Sequence, residues 1–262
     1  MKLLRKADVN TDLNRRALEI LSQWDRTLYI DLTEPLRRGI GQTFYAEKDG
    51  VLVNVKGVWM VGAMTAEAAE QMVQIIRREG SGDDEVCAHG KACRRMLDNT
   101  GLFFWYDHPC YVCAYYAGAQ FDLPQDLEIR MLDAKYAELL SRTYTMIRDS
   151  ENALELARSM IDNGVFGGFL KDECVGYIGL HGEGSMGMLE VFEQYRNRGF
   201  GTALEMFLIN RLVSRGMVPF GHVLDNNEVS LKMQKMLGFR IADDMVFWGK
   251  LLTDQCRVAD NR

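Results

Sequence analysis

The chain has 262 residues, of which 47% are hydrophobic, and a formal net charge of -6 at pH 7. This length and apolar content are sufficient for one large or two modest globular domains. The acidic balance argues against a nucleic-acid partner, because such binding depends on clustered lysine and arginine. No uncharged apolar run of about 18 residues occurs, so we expect a soluble cytoplasmic protein with no membrane partner.

The first half alternates helical and strand patterns. A helix is predicted over residues 9–24, then a hairpin over 43–55 with Asp49 and Gly50 at its turn, and a strand over 57–62. A helix over 65–80, stopped by Gly80, precedes a strand at 85–89 and a helix at 91–101. Strands at 102–106 and 110–116 complete this half.

Cysteine and histidine are concentrated between residues 87 and 113, at Cys87, His89, Cys93, His108, Cys110 and Cys113. Only the CxxC pair has tight ligand spacing, and it lies in a strand pattern that places Cys110 and Cys113 on opposite faces. Free cysteine is also commonly buried. We interpret these residues as reduced core thiols and expect no metal, with a metal or redox protein centred on the CxxC pair as an alternative.

The composition changes around residue 123, where glycine, aspartate and proline interrupt the patterning. We therefore predict two domains, 1–123 and 124–262. Strands are predicted at 126–132, 165–171, 174–181, 185–192 and 218–224, with further strands in 239–252. Helices are predicted at 134–147, 151–164 and 202–215. A last amphipathic helix carries Val229, Met233, Met236 and Leu237 and ends at Gly238.

The two halves share an order of elements. Residues 87–104 and 222–241 both read as strand, helix, glycine and strand. We infer a diverged internal duplication.

Residues 195–204, YRNRGFGTAL, form the most informative segment. Thr202 as an N-cap and Glu205 as its capping-box partner would explain part of it. They do not explain the two glycines that flank Phe200, or Arg196 and Arg198 before them. Bare backbone N–H groups at a helix start, with the helix dipole and two guanidinium groups, form an anion site suited to a diphosphate. For Tyr195 and Phe200 we expect core packing.

This segment, with the valine that stands five residues before its first arginine and with the later NxxS…GF residues, resembles the GNAT superfamily of acyl-CoA-dependent N-acyltransferases. The matching positions are Val191, Asn227, Ser230, Gly238 and Phe239. The resemblance covers about 126–251 and is greatest to the glycine N-acyltransferase and FR47-like branch. It implies an α/β fold of tandem GNAT-like mixed-sheet domains. The second is complete, and the first is degenerate because residues 62–71 lack both an arginine and GxG.

The resemblance also implies which residues contact acetyl-CoA. The diphosphate would be held by the loop residues Arg196, Asn197, Arg198, Gly199, Phe200, Gly201 and Thr202. The backbone N–H of Val191 would bond the pantetheine or polarise the thioester carbonyl. The predicted contacts with acetyl-CoA also include Leu189, Asn227 and Gln234. Asn227 would serve equally as a helix N-cap, and Gln234 stands where the family often has a tyrosine acid.

The general base is the least determined residue. Strict alternation places Ser185, Gly187, Leu189 and Val191 on one face of their strand. Glu183 is then the nearest carboxylate on that face, and Glu190 reaches it only if a bulge breaks the alternation. Ser230 is a further candidate, for hydrogen bonding to the sulfur. His181 and His222 could relay protons or be structural, and water could also act as the base.

We therefore predict an N-acetyltransferase that moves an acetyl or short acyl group from acyl-CoA to a small primary amine, without metal. The acidic composition favours a cationic acceptor. A CoA-responsive binding module with little catalysis is the alternative, and the oligomeric state stays open.

Overall fold

The computed structural model describes residues 11–81 and 84–252. Within these ranges the chain divides into two compact units. The first contains residues 11–113, Val223–Leu231 and 240–252, and the second contains Ala114–His222 and Lys232–Phe239. The predicted boundary near residue 123 refers to the two halves of the repeat and stays a prediction.

The first unit combines four helices with a mixed sheet. The helices are α1 (Thr11–Leu21), α2 (Ile30–Arg37), α3 (Ala66–Glu79) and α4 (Lys91–Asp98). The strands are β1 (Gln42–Glu47), β2 (Gly50–Val55), β3 (Val58–Ala63), β4 (Glu85–His89), β5 (Phe103–Trp105), β6 (Cys110–Ala114) and, last in the chain, β12 (Arg240–Leu251). They are ordered β1-β2-β3-β4-β12-β6, and β5 pairs with β12.

The first unit follows the sequence pattern closely, with three differences. The β1–β2 hairpin pairs Glu47 with Gly50, so Lys48 and Asp49 form the turn and the glycine begins the strand. Residues 240–251 form one strand and not several. The helix α2 was not predicted, because it is short and contains Pro35. Its burial in the core is what stabilises it, which local propensity does not reveal.

The second unit contains α5 (Ala137–Thr143), α6 (Ala153–Gly164) and α7 (Phe200–Val213). Its strands are β7 (Glu128–Met131), β8 (Val165–Leu170), β9 (Glu173–Leu180), β10 (Met186–Val191) and the start of β11 (Phe220–Leu224). They are ordered β11-β10-β9-β8-β7. Residues of α8 (Glu228–Met236) fall in both units.

Three expectations for the helices are wrong. The helix predicted over 134–147 ends at Thr143, and Tyr144 is its C-cap. The helix α7 begins at Phe200 and its N-cap is Gly199, so Thr202 is inside the helix and is not its cap. The expected apolar stripe of α8 is buried only in part: Leu237 is 4% exposed, but Val229 and Met236 are 82% and 67% exposed, while the polar Gln234 is 6% exposed. The periodicity of α8 therefore misidentified its buried face.

Two further findings concern the cysteines and the possibility of membrane-spanning helices. Cys87, Cys93, Cys110 and Cys113 are buried and form no disulfide among the described residues, which confirms the expected burial of these thiols. Across the described ranges, no helix has both the length and the apolar character needed to cross a bilayer.

Candidate functional site

The loop between β10 and α7 leaves the helix start open. Gly199 has φ 82 and Asn197 has φ 60, so two left-handed residues turn the chain into the helix. The first intrahelical bond runs from the Ala203 N–H to the Gly199 carbonyl, at 3.0 Å. The preceding N–H groups, of residues 200–202, therefore lie at the positive end of the helix dipole, and no side chain in the described part of the sequence caps this end.

Two helices of the first unit begin differently. At α3 the Thr65 hydroxyl accepts the Ala68 N–H at 3.1 Å. At α4 the Asp244 carboxylate accepts the Lys91 N–H at 3.2 Å. A polar side chain thus already occupies both helix starts, whereas α7 offers its N–H groups to a ligand.

Two arginines flank the open helix start. The Nε of Arg196 donates to the Val191 carbonyl at 3.0 Å. The guanidinium of Arg198 lies over the Phe200 ring at 4.9 Å and over the Tyr195 ring at 5.7 Å. Among the described residues, neither arginine forms an ion pair with a carboxylate. Tyr195 and Phe200 are buried in one apolar cluster, which confirms core packing.

Glu205 does not close a capping box. It is buried inside α7, where its Oε1 accepts a hydrogen bond from Gln234 Nε2 at 2.7 Å. Burial raises the pKa of the Glu205 carboxyl to about 7, and the bond from Gln234 opposes the shift. Gln234 is therefore engaged in a polar contact between α7 and α8. Its predicted contact with acyl-CoA stays a prediction.

A bulge in β10 changes which side chains share a face. Gly187 pairs with Gly179, and the next pair is Glu190 with Tyr177. Between these pairs β10 advances by three residues and β9 by two, so β10 contains one extra residue, with Leu189 in the bulge. Met188 has φ 55 there. The expectation that Val191 shares a face with Gly187 is therefore wrong, because the extra residue inverts the alternation after it.

As a result of the bulge, Glu190 lies on the same face of β10 as Gly187. Its Oε1 accepts a hydrogen bond from the Thr145 hydroxyl at 2.5 Å, in the segment between α5 and α6. Glu183 is buried and accepts from the Ser185 hydroxyl. Burial, and then the charges of Glu190 and Glu183, raise the pKa of Tyr144 to about 12.

The charges of both candidate bases therefore act on one buried tyrosine. Tyr144 was missed because it lies in a helix connection that carries no motif. The effect of both carboxylates on Tyr144 does not follow from strand alternation and is visible only in the folded chain.

The Val191 side chain lies on the face of β10 opposite to Glu190 and packs beside the cluster that contains Phe200. In an antiparallel ladder successive N–H groups point to alternate sides. The Phe192 N–H donates to Val175 on β9 at 3.0 Å, so the Val191 N–H points toward the β11 side of the strand. In the described register β10 pairs with β11 only through Met186 and Gly221.

A cavity of about 390 Å³ adjoins these groups. Glu190, Val191 and Arg196 line it together with residues of α5 and of the segment that follows α5. This volume is within the range of small-ligand pockets. The second unit thus brings Glu190, Val191 and Arg196 to one concave surface.

The remaining predicted residues have structural partners. Asn227 accepts the Ser230 N–H through its Oδ1 at 3.1 Å, which is the geometry of an N-cap for α8. Both residues fall in the first unit, and their predicted roles toward acyl-CoA stay predictions. The ring of His181 lies where a side chain at Gly187 would project, so it covers that glycine. His222 also has a partner.

Comparisons with known proteins agree with this architecture. Residues 164–248 match the model of the FR47-like protein family. No curated protein matches the sequence. A Drosophila protein of known structure is 17% identical over 95% of this chain and 97% of its own, with a TM-score of 0.61.

Two bacterial structures have the same fold. A GCN5-related N-acetyltransferase-like protein from Streptococcus suis is 14% identical over 92% of this chain and 99% of its own, with a TM-score of 0.55. A GCN5-related N-acetyltransferase from Kribbella flavida is 10% identical over 90% and 99%, with a TM-score of 0.54. The predicted resemblance to the GNAT superfamily is confirmed as a likeness of fold over most of the chain. Degeneracy of the first half stays a prediction.

Proposed function

We propose that the second unit binds acetyl-CoA, or another short acyl-CoA, and transfers the acyl group to a primary amine. The observation that carries this proposal is the start of α7, where uncapped N–H groups lie beside Arg196 and Arg198. A GNAT fold is consistent with acyl transfer in general, and the open anion site supports the assignment of this loop to the diphosphate of the acyl carrier.

The shape of the loop supports diphosphate binding. A side chain at Gly199 would meet no atom of the described residues within 4 Å, so the outer side of the loop is open. Its φ of 82 is a backbone conformation that glycine adopts without strain. N–H groups of residues 200–202 and the guanidinium of Arg196 would bind the diphosphate. Each charge-assisted hydrogen bond of this kind contributes roughly 1.5–3 kcal/mol.

The reaction needs two groups of the protein, one to stabilise the tetrahedral oxygen and one to accept the ammonium proton. The amine nitrogen attacks the thioester carbon, the new N–C bond forms, and the C–S bond breaks as the thiolate leaves. The Val191 N–H, directed away from β9, would stabilise the tetrahedral oxygen. The ammonium proton would pass to Glu190, which Thr145 holds in place, or to Glu183, directly or through water.

The departing sulfur needs little assistance. A thiol has a pKa of about 8.5, so the thiolate is a tolerable leaving group. Gln234 cannot serve as its acid, because an amide does not donate a proton at useful pH and this one is bonded to Glu205. Tyr144 keeps its proton at neutral pH and could donate a hydrogen bond.

The acceptor is described only as a primary amine. The cavity is lined by the guanidinium groups of Arg142, Arg148 and Arg196 beside the carboxylates of Glu190 and Glu193. The acidic composition of the whole chain is therefore not reproduced there, which removes the reason for favouring a cationic acceptor. Use of free acyl-CoA is consistent with the expected cytoplasmic location.

Thiol release from acetyl-CoA tests the proposal. The purified protein is incubated with a panel of primary amines that includes cationic, neutral and carboxylate-bearing members. We expect thiol release above hydrolysis with at least one amine, and mass spectrometry should detect the acylated product. Acyl-CoA binding without turnover for any amine would favour the CoA-responsive module, which the engagement of Gln234 motivates.

A further inference from the structure

The core of the first unit contains a cluster of three metal-binding side chains. The ligand atoms of Asp31, Cys87 and His89 all lie within 4.8 Å of one another. The side chains of Asp31 and His89 are wholly buried, and Cys87 is 0% exposed. An aspartate, a thiol and an imidazole rarely meet in an apolar core, because polar groups there require compensation.

The local structure explains why these atoms converge. Cys87 and His89 are two residues apart on β4, so strand alternation directs both side chains to the same face. Asp31 lies in the first turn of α2. The short helix that the sequence pattern missed therefore supplies the third group.

One nitrogen of the His89 imidazole is held by a backbone hydrogen bond. His89 Nδ1 lies 3.0 Å from the Val61 carbonyl, so Nδ1 carries the proton that it donates. Its Nε2 then points at Asp31 Oδ1, 2.8 Å away. An imidazole that donates one N–H to a backbone carbonyl and presents its other nitrogen to the site is the usual arrangement of a metal-binding histidine. The Tyr29 ring stacks on His89 with centroids 5.4 Å apart, which restricts rotation of the imidazole further.

The charges of the cluster match a divalent cation. A carboxylate, a thiolate and a neutral imidazole together carry two negative charges, which one divalent ion neutralises. Sulfur, nitrogen and oxygen donors in one site are typical of zinc.

We propose that Asp31, Cys87 and His89 form a zinc site in the first unit, separate from the acyl-transfer site. This replaces the expectation that the protein holds no metal. It also differs from the CxxC alternative, since Cys110 and Cys113 join no group of three ligands among the described residues. Two donors bound to zinc at about 2.0 Å in tetrahedral geometry stand about 3.3 Å apart. Binding therefore needs the Asp31–His89 pair to widen by about half an ångström, the more distant ligand atoms of the cluster to move closer together, and a fourth ligand such as water to complete the tetrahedron.

Because the site is buried, metal would enter during folding and stabilise the unit. Without metal, the same atoms hold a buried His–Asp hydrogen bond. These two states are the outcomes that an experiment must separate.

The test uses the full-length protein expressed with zinc and purified without chelator or affinity metal. Elemental analysis should find about one zinc per chain, as expected for a structural site. Refolding with Co²⁺ in place of zinc should give a thiolate-to-cobalt charge-transfer band. Absence of stoichiometric metal in the purified protein, together with no band on refolding with Co²⁺, would overturn the proposal.

Matched variants assign the ligands. Cys87→Ser should abolish the thiolate-to-cobalt band and lower the zinc content. Cys110→Ser, which alters another buried thiol of the same unit, should keep both. If Cys87→Ser fails to fold, Asp31→Asn provides the second variant, and it should bind zinc more weakly while retaining the thiolate band. Equal zinc content in Cys87→Ser and the parent would exclude this site.

Discussion

Replacing Glu205 by glutamine removes a buried carboxyl group from α7 while keeping its shape. In the parent protein, Glu205 is 5% exposed and bonded to Gln234. In Glu205→Gln the amide oxygen can still accept the Gln234 N–H, so the contact between α7 and α8 is preserved. The substitution therefore isolates the effect of the charge.

The magnitude follows from the pKa. Burial raises the pKa of Glu205 from 4.5 to about 7. Between these values the unfolded chain ionises this group while the folded chain keeps it protonated, so stability falls as pH rises through that interval and then levels off. At about 1.36 kcal/mol per pKa unit, the group costs up to about 3 kcal/mol above pH 7.

Urea unfolding from pH 5 to pH 8.5 measures this difference. Glu205→Gln should lie within about 1 kcal/mol of the parent near pH 5 and exceed its free energy of unfolding by about 3 kcal/mol at pH 8. Glu70→Gln, which changes an exposed glutamate on α3, should follow the parent at every pH. Parallel stability curves for Glu205→Gln and the parent would refute the raised pKa.

Three further predictions test the site. Thr145→Val should lower kcat/KM about tenfold with the best amine and shift the pH profile of kcat/KM. The reason is that Glu190 loses a hydrogen bond worth roughly 1.5–3 kcal/mol. An unchanged pH profile would exclude Glu190 as the base. Gly176→Ala should lower the free energy of unfolding by about 2 kcal/mol in urea titrations, since its Cβ would lie 2.3 Å from the Glu190 carbonyl oxygen; unaltered stability would contradict the described bulge. Asn227→Ala should cost about 1 kcal/mol of stability as the loss of a cap; a large loss of acyl-CoA affinity in calorimetry would instead assign Asn227 to the pantetheine.

Local signals predicted much of this fold. Glycine and apolar periodicity located the helices α3, α6 and α7 and most strands, because these elements bury one continuous face. The same reasoning failed for α8, where Val229 and Met236 are exposed and Gln234 is buried. The buried face of a short helix depends on its neighbours, and Gln234 is buried because Glu205 provides its partner.

The site was predictable in part. The open helix start was visible in YRNRGFGTAL, although the helix begins at Phe200 and not at Thr202. The face of Glu190 was not predictable, because a single inserted residue in β10 inverts the alternation and no residue type announces it. Tyr144 and the cluster around His89 depend on contacts between residues distant in sequence, which no local pattern encodes.

Isothermal titration of CoA into the parent and Arg196→Glu tests the central claim most directly. The reversal places a carboxylate beside the N–H groups of α7, and loss of one charge-assisted interaction of roughly 1.5–3 kcal/mol weakens binding about tenfold to a hundredfold. Arg215→Glu, a reversal at an exposed position just beyond the other end of α7, should bind CoA like the parent. Equal affinity of Arg196→Glu and the parent would contradict the assignment of this loop to the diphosphate.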